Sequence, residues 1–137
     1  MEKRNYDDIK TGEKVSFSKT INEADIFAFC GITGDFNPMH VDEVFASQTR
    51  FKGRIAHGML VAGLVDQTLT AIMGQGGIHV SQQVAFKAPV KIGDTVTVTS
   101  EITEKIVEKR RIMISSTWTN QEGTTVITGK SECFLPG

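Results

Sequence analysis

The sequence predicts an α+β fold, a single domain over residues 1–137 in which an antiparallel sheet wraps a long central helix. Two observations predict it. The run from Leu60 to Met73 is apolar on most sides, the pattern of a helix enclosed by other elements,. From Ile78 onward, four segments rich in Val, Ile and Thr follow one another with turn residues between them,. A buried helix followed by such a meander becomes stable when the sheet closes its apolar face over the helix. With 137 residues and 39% hydrophobic content, the chain can bury one substantial core,.

In chain order, Thr11-Gly12-Glu13 makes a turn, and the alternation of Val15-Ser16-Phe17-Ser18-Lys19 predicts a short edge strand,. Asn22-Glu23-Ala24-Asp25 reads as a helix start, a capping residue followed by acids that suit the positive end of the helix dipole,. Ile26, Phe27, Phe29 and Cys30 make this a largely buried helix that ends near Gly31 or Gly34. Val41 to Ser47 predicts a second short helix with Val44 and Phe45 inward, followed by a polar connection from Gln48 to Gly53. His57-Gly58-Met59 opens the long helix. About fifteen residues at 1.5 Å each make a rod of roughly 22 Å, stopped by Gly74, Gly76 and Gly77,. The strands follow at Ile78–Phe86, Asp94–Glu104, Arg111–Asn120 and Thr124–Leu135.

Fifteen Lys and Arg against sixteen Asp and Glu leave a net charge of −1, so no global field draws the chain to nucleic acid or an anionic membrane,. The longest apolar run is too short to span a bilayer, and Met1 to Lys10 carries no apolar targeting core,. A cytoplasmic protein is expected. Cys30 and Cys133 form no CxxC or Cys/His cluster, which favours two free thiols over a disulfide or zinc site,.

The stretch Gly34-Asp35-Phe36-Asn37-Pro38-Met39-His40 concentrates chemistry in seven residues. Gly34 permits a sharp turn, while Pro38 fixes its own φ and pushes Asn37 into an extended conformation, so the segment is expected to be a rigid loop. Asp35 and His40 can converge there on one small molecule, and a carboxylate and an imidazole sharing a water make a general acid/base arrangement. The competing reading is an Asx-type turn with a structural histidine.

Together these pieces resemble the MaoC-like (R)-specific enoyl-CoA hydratases, the hydratase 2 family, which have the hot-dog fold. The resemblance covers nearly the whole chain: the Asp-x-Asn-Pro-x-His loop, Ala46 beyond it, His57-Gly58-Met59 at the helix start, Phe86-Lys87-Ala88-Pro89-Val90, and Gly93-Asp94,. It implies that Asp35 and His40 bind one water and add it across a trans-2-enoyl-CoA to give an (R)-3-hydroxyacyl-CoA, with the reverse dehydration on the same groups. It implies Gly58 as the N–H donor for the enolate oxygen, with Asn37 and His57 in supporting roles. It also implies an acyl-CoA thioester as substrate and a homodimer, with no cofactor and no metal. Lys52, Arg54 and Lys87 are the candidate cations for the CoA phosphates. Asp66, an acid within the long helix, keeps a second reading open, a hot-dog acyl-CoA thioesterase. A non-catalytic acyl-binding or partner subunit is the third.

Overall fold

A computed structural model describes residues 1–137. Its frame is a five-stranded antiparallel sheet with the helices packed against one face. The strands are β1 (Lys14–Thr20), β2 (Ile78–Phe86), β3 (Thr95–Ile106), β4 (Arg111–Thr119) and β5 (Thr125–Phe134), in the order β1-β3-β4-β5-β2. The strand β1 is an edge, as its sequence predicts. The last three strands are a meander, but β2 lies beyond β5 on the far edge instead of beside β3. That placement is the correction to a four-strand meander, and it leaves β2 with one paired side.

Alternation decides which face of the sheet is buried. Val96, Val98, Ser100 and Ile102 of β3 point inward with Ile112, Ile114, Ser116 and Trp118 of β4. The opposite face is polar, where Ser16, Ser18 and Thr20 of β1 pair their hydroxyls with Thr99, Thr97 and Thr95 at 2.6–2.8 Å. Inside, Thr68, Ser100 and Ser116 form a chain of buried hydroxyls at 2.7 Å spacings, which gives polar groups in the core the partners they need.

The helix α1 (Glu23–Thr33) begins with a complete capping box, Asn22 accepting from the Asp25 N–H and Asp25 from the Asn22 N–H,. It ends at Gly34, whose φ of 78° makes the left-handed turn,. This helix buries Ile26 and Cys30 but leaves Phe27 48% and Ile32 82% exposed, so it is half buried, not largely buried. Its apolar residues lie round most of its circumference while only the side carrying Ile26 and Cys30 is covered. Two short helices follow, α2 (Pro38–Val41) and α3 (Glu43–Ser47). The inward residue of α3 is Ala46, while Val44 and Phe45, expected to face inward, point out; the Ala46 carbonyl is held by the Thr49 N–H and hydroxyl.

The long helix is two pieces, α4 (Gly58–Ala62) and α5 (Val65–Met73). Across the junction the bonds run three residues apart, from Leu64 N–H to the Val61 carbonyl and from Asp66 N–H to Gly63, a tightened turn of 3₁₀ type at a glycine with low helix propensity. The Val61 carbonyl also accepts from the buried Trp118 indole at 2.9 Å, so the break is tied to the sheet. One side of this pair of helices is open, at Met59, Gly63, Asp66 and Gln67. No helix is long and apolar enough to cross a membrane.

Candidate active site

The site is assembled where α1 ends, α2 begins and the segment before α4 crosses between them. Segment 55–57 is stitched on both sides. The Ile55 N–H donates to the Met39 carbonyl at 3.2 Å, and the Ala56 N–H to Val90 at 2.8 Å. His40 is 6% exposed. Its Nδ1 lies 2.7 Å from the Ile55 carbonyl oxygen, which can only accept, so Nδ1 carries the proton and Nε2 faces the opposite way.

Asp35 stands across from that Nε2. The Asn37 N–H donates to Asp35 Oδ1 at 3.1 Å, and the Met39 N–H to Asn37 Oδ1 at 3.2 Å. These are two successive Asx turns, the second capping α2 with Pro38 in its first turn,. The loop is therefore shorter than its sequence suggests, since Pro38 to Val41 is helical. Asp35 Oδ1 holds the turn while Oδ2 stays free, 3.9 Å from His40 Nε2. The Asx turn is therefore present on Oδ1, and Oδ2 is left facing His40.

His57 is 2% exposed and stacks on His40, with ring centroids 3.8 Å apart and planes 25° from parallel. Its Nε2 lies 3.0 Å from the Asp35 carbonyl oxygen. His57 occupies the N-cap position of α4, but no capping bond runs from its side chain to the helix. Asp35, His40 and His57 bring ligand-type atoms within 4.8 Å of one another. Stacked rings are a poor chelate, however, since a metal lies near the plane of each imidazole it binds, and two ring planes 3.8 Å apart at 25° meet only well away from the stack. His79 is elsewhere, 3.3 Å from Asp66.

The pair opens on a cleft of about 570 Å³, lined mainly by apolar side chains including Phe29, Met39, Phe51, Met59 and Phe86. Gly58 sits in its wall, and a Cβ there would lie 2.6 Å from the Phe86 ring. A larger residue there would have to displace the half-exposed Phe86 ring. Because α4 has five residues, what Gly58 offers is a local N–H more than the summed dipole of a long helix.

The expected cations divide. Lys87 lines the cleft. Arg54 does not serve as a free cation: it is held by Glu23 at 2.7 Å and Glu43 at 3.2 Å, and the Glu23 hydrogen bond raises its pKa. It ties α1 to α3. Lys52 is exposed and outside the lining. Arg50, which sequence reading passed over, lines the cleft, its guanidinium 4.8 Å from the Phe51 ring centre. No spacing in the polar connection distinguishes it. Asp66 is outside the cleft, its side chain 71% exposed, so the acid on the helix that kept the thioesterase reading open faces away from the apolar cleft.

A five-stranded sheet folded over a central helix, with a carboxylate and an imidazole facing each other at the mouth of an apolar cleft, defines a hot-dog protein built like a lyase-type hydratase. The MaoC-like domain model matches residues 7–124, and the chain belongs to that family. It is 46% identical over 132 residues to an (R)-specific enoyl-CoA hydratase of Rhodospirillum rubrum, covering 96% of this chain and 91% of that one. It is 42% identical over 113 residues to a 3-hydroxybutyryl-CoA dehydratase of Methylorubrum extorquens, covering 82% and 72%. Among solved structures, the (R)-hydratase of Aeromonas caviae superposes with a TM-score of 0.90 at 35% identity, covering 94% of this chain and 98% of that one.

Proposed function

We propose that the protein catalyses the reversible (R)-specific hydration of trans-2-enoyl-CoA to (R)-3-hydroxyacyl-CoA, with Asp35 and His40 acting on one water. The observation that carries this reading is the facing pair itself. Asp35 Oδ2 and His40 Nε2 are 3.9 Å apart, too far for a direct hydrogen bond but spanned by a water roughly 2.8 Å from each. The other polar atom of each group is already occupied, by the Asn37 N–H and the Ile55 carbonyl. Both remaining atoms are thus left for the reacting water.

In the hydration direction, Asp35 Oδ2 takes a proton from the water as its oxygen bonds to C3. The C2=C3 electron pair moves toward the thioester oxygen, which becomes an enolate. Gly58 meets that oxygen with its backbone N–H. In this direction His40 enters as the imidazolium, with Nδ1–H on the Ile55 carbonyl and a second proton on Nε2,. Nε2 gives that proton to C2 as the enolate collapses, and the proton taken up by Asp35 returns to His40 through the next water. Asn37 holds the loop rather than touching substrate. Arg50 and Lys87 at the cleft supply local cations for the CoA phosphates,.

A homodimer fits this reading. The unpaired side of β2 leaves Ile78, Val80 and Phe86 41–54% exposed, and Met59 is 60% exposed on the open side of α4. A long apolar edge strand is normally covered, here by a second copy.

The test is purified protein with crotonyl-CoA, following ultraviolet absorbance and free thiol together and trapping product with an (R)-specific 3-hydroxyacyl dehydrogenase. Loss of the conjugated signal without thiol release, abolished by Asp35→Asn, is expected. Thiol release, or no turnover of crotonyl-CoA and longer enoyl thioesters, sinks the reading.

A further inference from the structure

The mechanism above leaves His57 without a task, yet this side chain touches both halves of the acid/base pair. Its Nε2 lies 3.0 Å from the Asp35 carbonyl oxygen and 3.5 Å from the Cys30 sulfur. A carbonyl only accepts, so Nε2 carries the proton and Nδ1 the lone pair. That Nδ1 is buried and has no hydrogen-bond partner. An unmet buried acceptor costs stability that an apolar side chain in the same place would not. Core packing alone therefore does not account for an imidazole here.

His40 shows what the ring is for. The one hydrogen bond from its Nδ1 to Ile55 restrains the ring's rotation about Cβ–Cγ only within the tolerance of a single hydrogen bond,. Tilting within that tolerance moves Nε2 relative to Asp35. The face of His57, 3.8 Å away and 25° from parallel, blocks that tilt, and Phe29 packs on His57 in turn with centroids 4.7 Å apart. A ring without charge also suits a neighbour that is a cation for part of the proposed cycle, since its π face attracts positive charge.

We propose that His57 is a positioning residue: its Nε2–H anchors the main chain of Asp35 and its ring face sets the plane of His40, so that Oδ2 and Nε2 stay aligned on one water. This rests on the Asp35/His40 reading. It predicts that the two contacts of His57 are separable. His57→Phe keeps a flat ring but cannot donate to Asp35, whereas His57→Gln keeps a planar N–H donor with less ring face.

The experiment measures kcat and KM for crotonyl-CoA across pH for both variants, beside wild type and Asp35→Asn, with melting temperatures for each. His57→Phe is expected to lower kcat about 10²-fold, the scale of a misaligned catalytic group, with KM within about twofold and the pH profile displaced. His57→Gln is expected to recover a substantial part of that loss. Wild-type kcat in both folded variants, or losses that follow the melting temperature and raise KM equally, overturns the proposal. Should phenylalanine prevent folding, His57→Asn decides: its short amide reaches neither Asp35 nor His40, and wild-type kcat in the folded variant overturns the proposal. If Asp35→Asn retains full activity, the acid/base reading itself fails, a different outcome from failure at His57 alone.

Discussion

Asp35 holds its turn with one oxygen and presents the other, the proposed base, to His40. Oδ1 accepts from the Asn37 N–H and Oδ2 faces His40, so Asp35→Asn can keep the turn while removing the base. Loss of about 10²–10⁴-fold in kcat, the usual scale for a general acid or base, is expected with little change in melting temperature. His40→Ala is expected to lose as much activity and some stability, because it also strips the Ile55 carbonyl of its donor,. Gly58→Ala makes a different prediction. The added Cβ would lie 2.6 Å from the half-exposed Phe86 ring, which must swing into the cleft. KM for crotonyl-CoA is expected to rise about tenfold, corresponding to roughly 1.4 kcal/mol of binding, and Gly58→Ala with Phe86→Ala should recover much of it. At this scale the sequence displayed Asp35, Asn37, His40, His57 and Gly58. It did not display the division of the cations, because whether an arginine faces a cleft or two glutamates is decided by neighbours 31 and 11 residues away.

Helix α1 carries its own start signal, and that signal sets an acid limit on stability. Burial alone would raise the Asp25 carboxyl, but the Asn22 N–H and the Lys19 ammonium outweigh it and hold its pKa below the ordinary aspartate value. Since the folded pKa lies under the unfolded one, the stabilisation is full above the ordinary carboxylate range and is lost as pH falls through it. Melting temperature is therefore expected to drop below about pH 4, less steeply in Asp25→Ala, which starts lower at neutral pH. Asn22→Ala removes the same box and is expected to cost about 1 kcal/mol in urea unfolding. The junction between α4 and α5 is fixed differently, by the Trp118 indole on the Val61 carbonyl. Trp118→Phe, which deletes that donor from the core, is expected to cost about 1–3 kcal/mol. The capping box was legible because its partners are three residues apart. The helix break was not, because half of what holds it comes from a strand 57 residues later.

For the molecule as a whole, the exposed edge at β2 is the feature that asks for a partner. Val80→Lys puts a charge on that edge, and a homodimer joined there is expected to shift toward monomer by sedimentation velocity, with activity falling alongside if the sites lie near the interface. An unchanged dimer would place the interface elsewhere. The fold class, the edge position of β1, the start of α1 and the turn at Asp35 were determined by the sequence, since each depends on local periodicity, capping or backbone restriction. Only the tertiary structure decided that β2 lies beyond β5, that Val44 and Phe45 face outward, that Asp66 leaves the cleft, and that His57 stacks on His40. These depend on which surfaces meet after the chain has closed. Local pattern fixes what an element can bury, while the packing of distant elements fixes what it does bury.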